Sequence, residues 1–275
     1  MADIPIYEGI LLGQETPVRE LYAPDVLYPI PRAISREQLG LARKLYGVDL
    51  WHAYEMSWLD GHGKPVVRVG RFSVPASSPN MVESKSFKLY LNSLNNVSFD
   101  DDASAVATIM DDLRQVVGEA VTLELLQPDD PSLAGSVLDG ECLDTLEVSP
   151  VSGEQPAPEL LQIRNENDVV EERLYSHLLR SLCPVTGQPD WATLWCHYRG
   201  KPFVRSSLLR YIIAFRNHQE FHEQCVERIF RDMANCCDAE FLHVQGFYTR
   251  RGGLDINPFR STDPSARPLP RLNRQ

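Results

Sequence analysis

The chain of 275 residues carries 27 Lys and Arg against 38 Asp and Glu, a formal net charge of −11, with 43% apolar and 24% charged residues. That length builds one large or two modest domains with real cores, and the acidic balance argues against a broad nucleic-acid-binding face. No segment has the unbroken apolar length of a membrane span, Met1-Ala2-Asp3-Ile4-Pro5 lacks the flank and apolar run of a signal peptide, and six cysteines without a CxxC pair form no disulfide framework. The expected location is therefore the cytoplasm.

Residues 50–58 and 65–74 predict two strands, joined by a hairpin turn at Asp60-Gly61-His62-Gly63. A helix is expected to start at Glu83. A second helix follows, with Val106, Ile109, Met110, Leu113 and Val117 at helical spacing and residues 100–102 placed to cap it. Residues 121–126 resume as a strand. Residues 128–169 hold Pro128, Pro131, Pro150, Pro156 and Pro158 and read as a connector, with a further strand expected over 141–148.

The second half repeats the order. Residues 191–198 predict a strand, Arg199-Gly200 a turn, and Ser207 the start of a long helical region. Phe221, Cys225, Ile229 and Met233 form its later stripe, and residues 241–249 return as a strand. The halves superpose in sequence, Lys88-Leu89-Tyr90-Leu91 on Leu209-Arg210-Tyr211-Ile212, an offset of 211 − 90 = 121. At that offset Glu83-Ser84-Lys85 faces Val204-Arg205-Ser206, and His222-Glu223 faces Asp101-Asp102. Each half carries a polar signature that the other lacks. Alone, either is what a solvated helix end looks like; together they point to one composite site, built from half-sites on two repeats or on two subunits. The fold class is α+β, antiparallel strands with helices on one face.

Four segments carry chemistry. In Leu182-Cys183-Pro184-Val185-Thr186-Gly187-Gln188-Pro189-Asp190 a thiol precedes a carboxyl group by seven residues. The prolines restrict the loop and Gly187 permits a tight turn. A buried structural cysteine beside a solvated aspartate would read the same way. Glu223 beside His222 offers a carboxylate that suits the amidine-like edge of a guanine or pterin ring, and His222 offers an imidazole for relaying a proton. His222-Glu223 does not extend to HExxH, since position 226 is Val; His218, four residues before His222, is expected to share its helix face but has no third ligand beside it, and no metal site is expected. Helix-start N–H groups with Lys85 and Lys88 form an expected anion site, and Arg250-Arg251-Gly252-Gly253 a second. No Rossmann fingerprint is present.

Residues 83–92 (ESKSFKLYLN), 183–190 (CPVTGQPD), 215–223 (FRNHQEFHE) and 248–258 (YTRRGGLDINP) together resemble the NADPH-dependent 7-cyano-7-deazaguanine reductases, nitrile reductases of queuosine biosynthesis, in their long two-repeat form. The resemblance implies tandem tunnelling-fold (T-fold) repeats, here over residues 1–130 and 171–275 around a connector at 131–170. It implies that Cys183 attacks the nitrile to form a thioimide, that Asp190 protonates its nitrogen from a partly buried position, and that His222 assists. Val82, Glu83, Ser84, His222 and Glu223 would hold the deazaguanine, and Ser84, Lys85, Arg251 and Gly252 would hold NADPH. A homodimer or larger ring is implied. A cyclohydrolase-type enzyme or a non-catalytic purine- or pterin-binding protein on the same fold are the competing readings.

Overall fold

A computed structural model describes residues 21–41, 45–149 and 153–275; Met1-Ala2-Asp3-Ile4-Pro5 and Pro150, used above, lie outside them. The first half runs β1 (Pro29–Pro31), α1 (Arg32–Gln38), β2 (Tyr46–Leu59), β3 (Pro65–Pro75), β4 (Asn80–Val82), α2 (Ser84–Ser93), α3 (Asp102–Val117) and β5 (Thr122–Leu126). After β6 (Glu141–Cys142) the second half runs β7 (Val170–Ser176), β8 (Arg180–Leu182), β9 (Pro189–Gly200), α4 (Arg205–Ala214), α5 (His222–Cys236), β10 (Phe241–Tyr248) and β11 (Leu254–Ser261).

One sheet crosses both halves in the order β5-β3-β2-β11-β10-β9-β7-β6, with β8 on the start of β9. Its ladders are antiparallel except the β6–β7 pair. β1 and β4 form a separate short ribbon. The β2–β3 hairpin turns where Asp60-Gly61-His62-Gly63 predicts: Asp60 accepts from the N–H groups of His62 and Lys64 at 2.9 and 3.0 Å.

The offset of 121 carries into the elements. Added to 84 and 93, the ends of α2, it gives 205 and 214, the ends of α4. The strand after the helix pair corresponds too, since 122–126 maps to 243–247, inside β10. Helices cover one sheet face. In the first half Trp51 and Phe72 meet Phe87 of α2 edge-on at 5.5 and 5.1 Å, and Ile109, Leu113 and Val117 of α3 are fully buried in the same cluster. In the second, Leu194, Cys196 and Tyr198 of β9 pack with Tyr211 and Phe215, and with Cys225, Ile229 and Met233 of α5. Burial of apolar area at roughly 25 cal/mol per Å² drives this layering. On the opposite face Trp195 and Phe247 pack under Leu272 near the C-terminal end.

Three sequence readings are corrected here. Arg199-Gly200 continues β9 rather than turning, because Arg199 is in register with Phe241 and Gly200 with Val170. The strand expected over 141–148 is paired only at Glu141 and Cys142. In α3 the buried positions include Ala105, whereas Val106 and Met110 sit at the stripe's half-exposed margin.

Candidate active site

The segments singled out above meet at one place. β8 pairs with the first residues of β9, Ser181 opposite Asp190 and Leu182 opposite Pro189, so residues 183–188 form the tip of a hairpin. The tip closes on itself: Cys183 N–H donates to Gln188 O and Gly187 N–H to Cys183 O, both at 2.9 Å. Gly187 takes φ +67°, where a side chain is strained. The hairpin is stitched to the approach of α5, since Leu182 N–H donates to His218 O at 2.8 Å and Glu220 N–H to Leu182 O at 3.2 Å. These bonds bring the Cys183 loop beside the first residues of α5, His222 and Glu223.

A narrow, half-open cavity lies there. Val82, Glu83 and Ser84 line it from the first half, and Cys183, Asp190, His222, Glu223 and Arg251 from the second. Trp51, Ile256 and Phe221 add an apolar lining. Cys183 is 3% exposed, Asp190 and Glu223 4%, and Glu83 0%. Burial of this many polar groups in one hollow is costly unless partners are supplied, and most have one. Asp190 is held from both sides, by Arg251 Nη2 on Oδ1 at 2.7 Å and by His222 Nε2 on Oδ2 at 3.2 Å. The His222 ring lies flat on Tyr248, centroids 3.8 Å apart at 12°. Its Nδ1 is buried and meets no partner among the described residues.

Glu223 is almost wholly buried. Loss of solvent, and next the nearby Asp49 carboxylate, push it up to about 7. Behind it is a buried cluster of charges. Asp49 pairs with Arg32 at 2.5 Å and Arg260 at 2.7 Å, while Glu227, one turn after Glu223, pairs with Arg260 at 2.9 Å and Arg36 at 2.6 Å. Burial in isolation would raise the carboxyls of Asp49 and Glu227; their arginines instead bring both below the ordinary range.

A more open groove leads from the cavity, sharing Ser84 and Arg251 with it. Lys85, Lys88, Thr186, Gln188 and Gly252 line the rest. Gly252 has φ +57°, a backbone conformation in which a side chain is strained, and it lies beside Lys88. The cationic and hydroxyl-bearing lining fits a phosphorylated dinucleotide whose reactive end must reach the thiol cavity.

All ten predicted site residues thus lie on two connected hollows, but three expectations change. The N–H groups at the start of α2 are not open to an anion, because the Glu83 side chain accepts from Lys85 N–H at 2.8 Å and Ser86 N–H at 2.7 Å. Burial still raises Glu83 despite these bonds. Asp190 is not a carboxyl group secluded by burial alone, since it stands in an ion pair with Arg251. His218, expected to share a helix face with His222, precedes α5 and contacts Glu220 instead, at 3.0 Å. Sequence reasoning also missed Trp51, Phe221 and Ile256, whose apolar character carries no sign of a cavity, and the charges behind Glu223, which come from four separate elements.

A family model described as "Nitrile reductase, 7-cyano-7-deazaguanine-reductase N-term" matches residues 18–125, and one described as "QueF-like protein" matches residues 189–266. Proteins named NADPH-dependent 7-cyano-7-deazaguanine reductase from Dechloromonas aromatica, Bordetella pertussis and Chromohalobacter salexigens are 55%, 50% and 48% identical. The matches cover 94%, 94% and 96% of this chain and 92%, 94% and 96% of those proteins. A solved archaeosine synthase, QueF-Like in the apo form, aligns with 37% of this chain and 99% of its own at 12% identity and a TM-score of 0.31, a likeness too slight to bear on the fold.

Proposed function

The chain belongs to the family of NADPH-dependent 7-cyano-7-deazaguanine reductases, and on that premise we propose that it reduces the nitrile of 7-cyano-7-deazaguanine to an aminomethyl group through a covalent bond to Cys183. The observation that carries this reading is the meeting of Cys183, Asp190, His222 and Glu223 in one cavity that continues into a basic groove.

The deazaguanine ring enters edge-first toward Glu223, whose ionised carboxylate accepts from the ring's two neighbouring N–H groups. The buried Nδ1 of His222 faces a ligand polar group, and the stack on Tyr248 keeps that ring from turning. Cys183 Sγ then adds to the nitrile carbon, the carbon–nitrogen π pair moves to nitrogen, and a proton delivered by Asp190 completes the thioimide. The proton that Asp190 gives to nitrogen is balanced by the one the Cys183 thiol loses, and His222, on the second oxygen of Asp190, is the group placed to pass it. When bound, NADPH would supply hydride, one per molecule and two molecules in turn, for the reduction of the thioimide to the amine with release of Cys183. Ser84, Lys85, Arg251 and Gly252 hold that cofactor in the groove, and Val82, Glu83 and Ser84 wall the substrate.

The repeated element order supports tandem T-fold repeats over residues 1–130 and 171–275 joined by 131–170. None of the helices among the described residues is long and apolar enough to cross a membrane. Placement in the cytoplasm, and assembly as a homodimer or larger ring without a nucleic-acid partner, complete the proposal. The test is direct. Absorbance of NADPH should fall on addition of 7-cyano-7-deazaguanine, by two equivalents per nitrile. Folded protein that consumes no NADPH would remove the reductase reading.

A further inference from the structure

At the far edge of the sheet three side chains of different chemistry come together without any part in the cavity or groove. Cys142 lies on β6, Asp144 follows two residues later, and His177 comes directly after β7, the strand parallel to β6. Between the first two, Leu143 is fully buried in the second-half core and its N–H donates to Tyr175 O at 2.9 Å, which fixes this segment against β7. The Cys142 sulfur, an Asp144 oxygen and a His177 ring nitrogen all lie within 4.8 Å of one another.

We propose that Cys142, Asp144 and His177 form a binding site for a divalent transition-metal ion of the zinc type, which staples the connector to the edge of the second half. Thiolate, imidazole and carboxylate form a donor set suited to zinc or cobalt and poorly suited to magnesium or calcium. Bonds of about 2.0–2.3 Å in a tetrahedral shell put ligand atoms about 3.3–3.8 Å apart, so closure needs a movement on the order of 1 Å. His177 is exposed, which leaves the fourth position to water.

The ligands are held from behind as well. Asp144 accepts from Ser176 Oγ at 2.6 Å and from His177 N–H at 3.0 Å. His177 Nδ1 meets Thr193 Oγ1 of β9 at 2.9 Å, the kind of outer contact that sets the tautomer and ring orientation of a metal-bound histidine. Its carbonyl accepts from Arg274 at 2.8 Å. β6 is only two residues long, so few backbone bonds hold it to β7, and an ion at this point adds a cross-link where the sheet has least. Coordination displaces the Cys142 thiol proton to solvent, one per ion bound.

The test uses the full-length protein, stripped with chelator and titrated with Co²⁺ alone. One equivalent should produce the near-ultraviolet thiolate-to-cobalt band and the visible bands of a four-coordinate site, with release of one proton. Cys142→Ser should lose the charge-transfer band, and His177→Gln should weaken binding by about tenfold or more. Both changes leave the Asp144 bonds to Ser176 Oγ and the His177 backbone in place, so either variant can be read alone. Zn²⁺ should raise the thermal midpoint of the wild-type chain, as any ligand of the folded state does, and not that of Cys142→Ser. No thiolate band with wild-type protein, or a band unchanged in Cys142→Ser, would overturn the proposal, the latter placing cobalt on another thiol.

Discussion

Glu223 shows how one side chain sets a pH dependence. Burial and Asp49 raise it to about 7, so its contribution to stability is complete below the ordinary carboxylate range and is lost as pH rises through about 7. Ligand binding runs the other way, because only the carboxylate can accept both N–H groups of the deazaguanine. Substrate affinity should therefore fall by about tenfold per pH unit below 7, with a proton released on binding at pH 6; calorimetry in buffers of different ionisation heat measures both. A flat affinity between pH 5.5 and about 7.5 would remove Glu223 as the anchor. Lys85 and Arg251 should likewise separate. Lys85→Ala should raise the NADPH requirement and leave thioimide formation intact. Arg251→Ala should raise that requirement and also shift the pH profile of thioimide formation, because Arg251 holds Asp190 at 2.7 Å. Identical behaviour of the two variants in single-turnover measurements would contradict the dual position of Arg251.

At the scale of elements, the first turns of α5 owe their placement to the charges behind them. Glu227 ties α5 to Arg260 of β11 and, through Arg36, to α1. Glu227→Ala would leave Arg260 buried without one of its two acids, a loss on the order of 3–5 kcal/mol; urea unfolding should show a lower midpoint with an unchanged slope. A midpoint within error of wild type would mean that Asp49 alone satisfies Arg260. The helices were legible in sequence because their stripes and caps are local: Asp101 caps α3 by accepting from Ser104 N–H at 2.7 Å, and Glu83 caps α2. β11 was not. All of its residues are buried, yet Asp255, Asn257, Arg260 and Ser261 break any apolar pattern, and their partners His52, Tyr54 and Glu227 lie far away in sequence. β7, with Glu171, Glu172 and Arg173, escaped for the same reason: Glu171 meets His197 and Glu172 meets Tyr198, both on β9.

For the whole molecule, the 121-residue offset foretold the correspondence of α2 with α4 and the unequal polar signatures of the two halves. It could not foretell that β11 lies between β2 and β10 and makes the halves one sheet. That join brings Glu83 and Glu223 to the same cavity, each half supplying what the other lacks. The site residues were legible because their types are unusual together; their ion pairs were not, since Arg251 reaches Asp190 only once the sheet is assembled. The most direct test of the account is the mass of the intact protein after incubation with 7-cyano-7-deazaguanine without NADPH. The mass should rise by that of one whole substrate molecule, with the addition located by peptide mapping to Cys183 and absent from Cys183→Ala. An equal adduct on Cys183→Ala, or wild-type turnover by that variant, would contradict it.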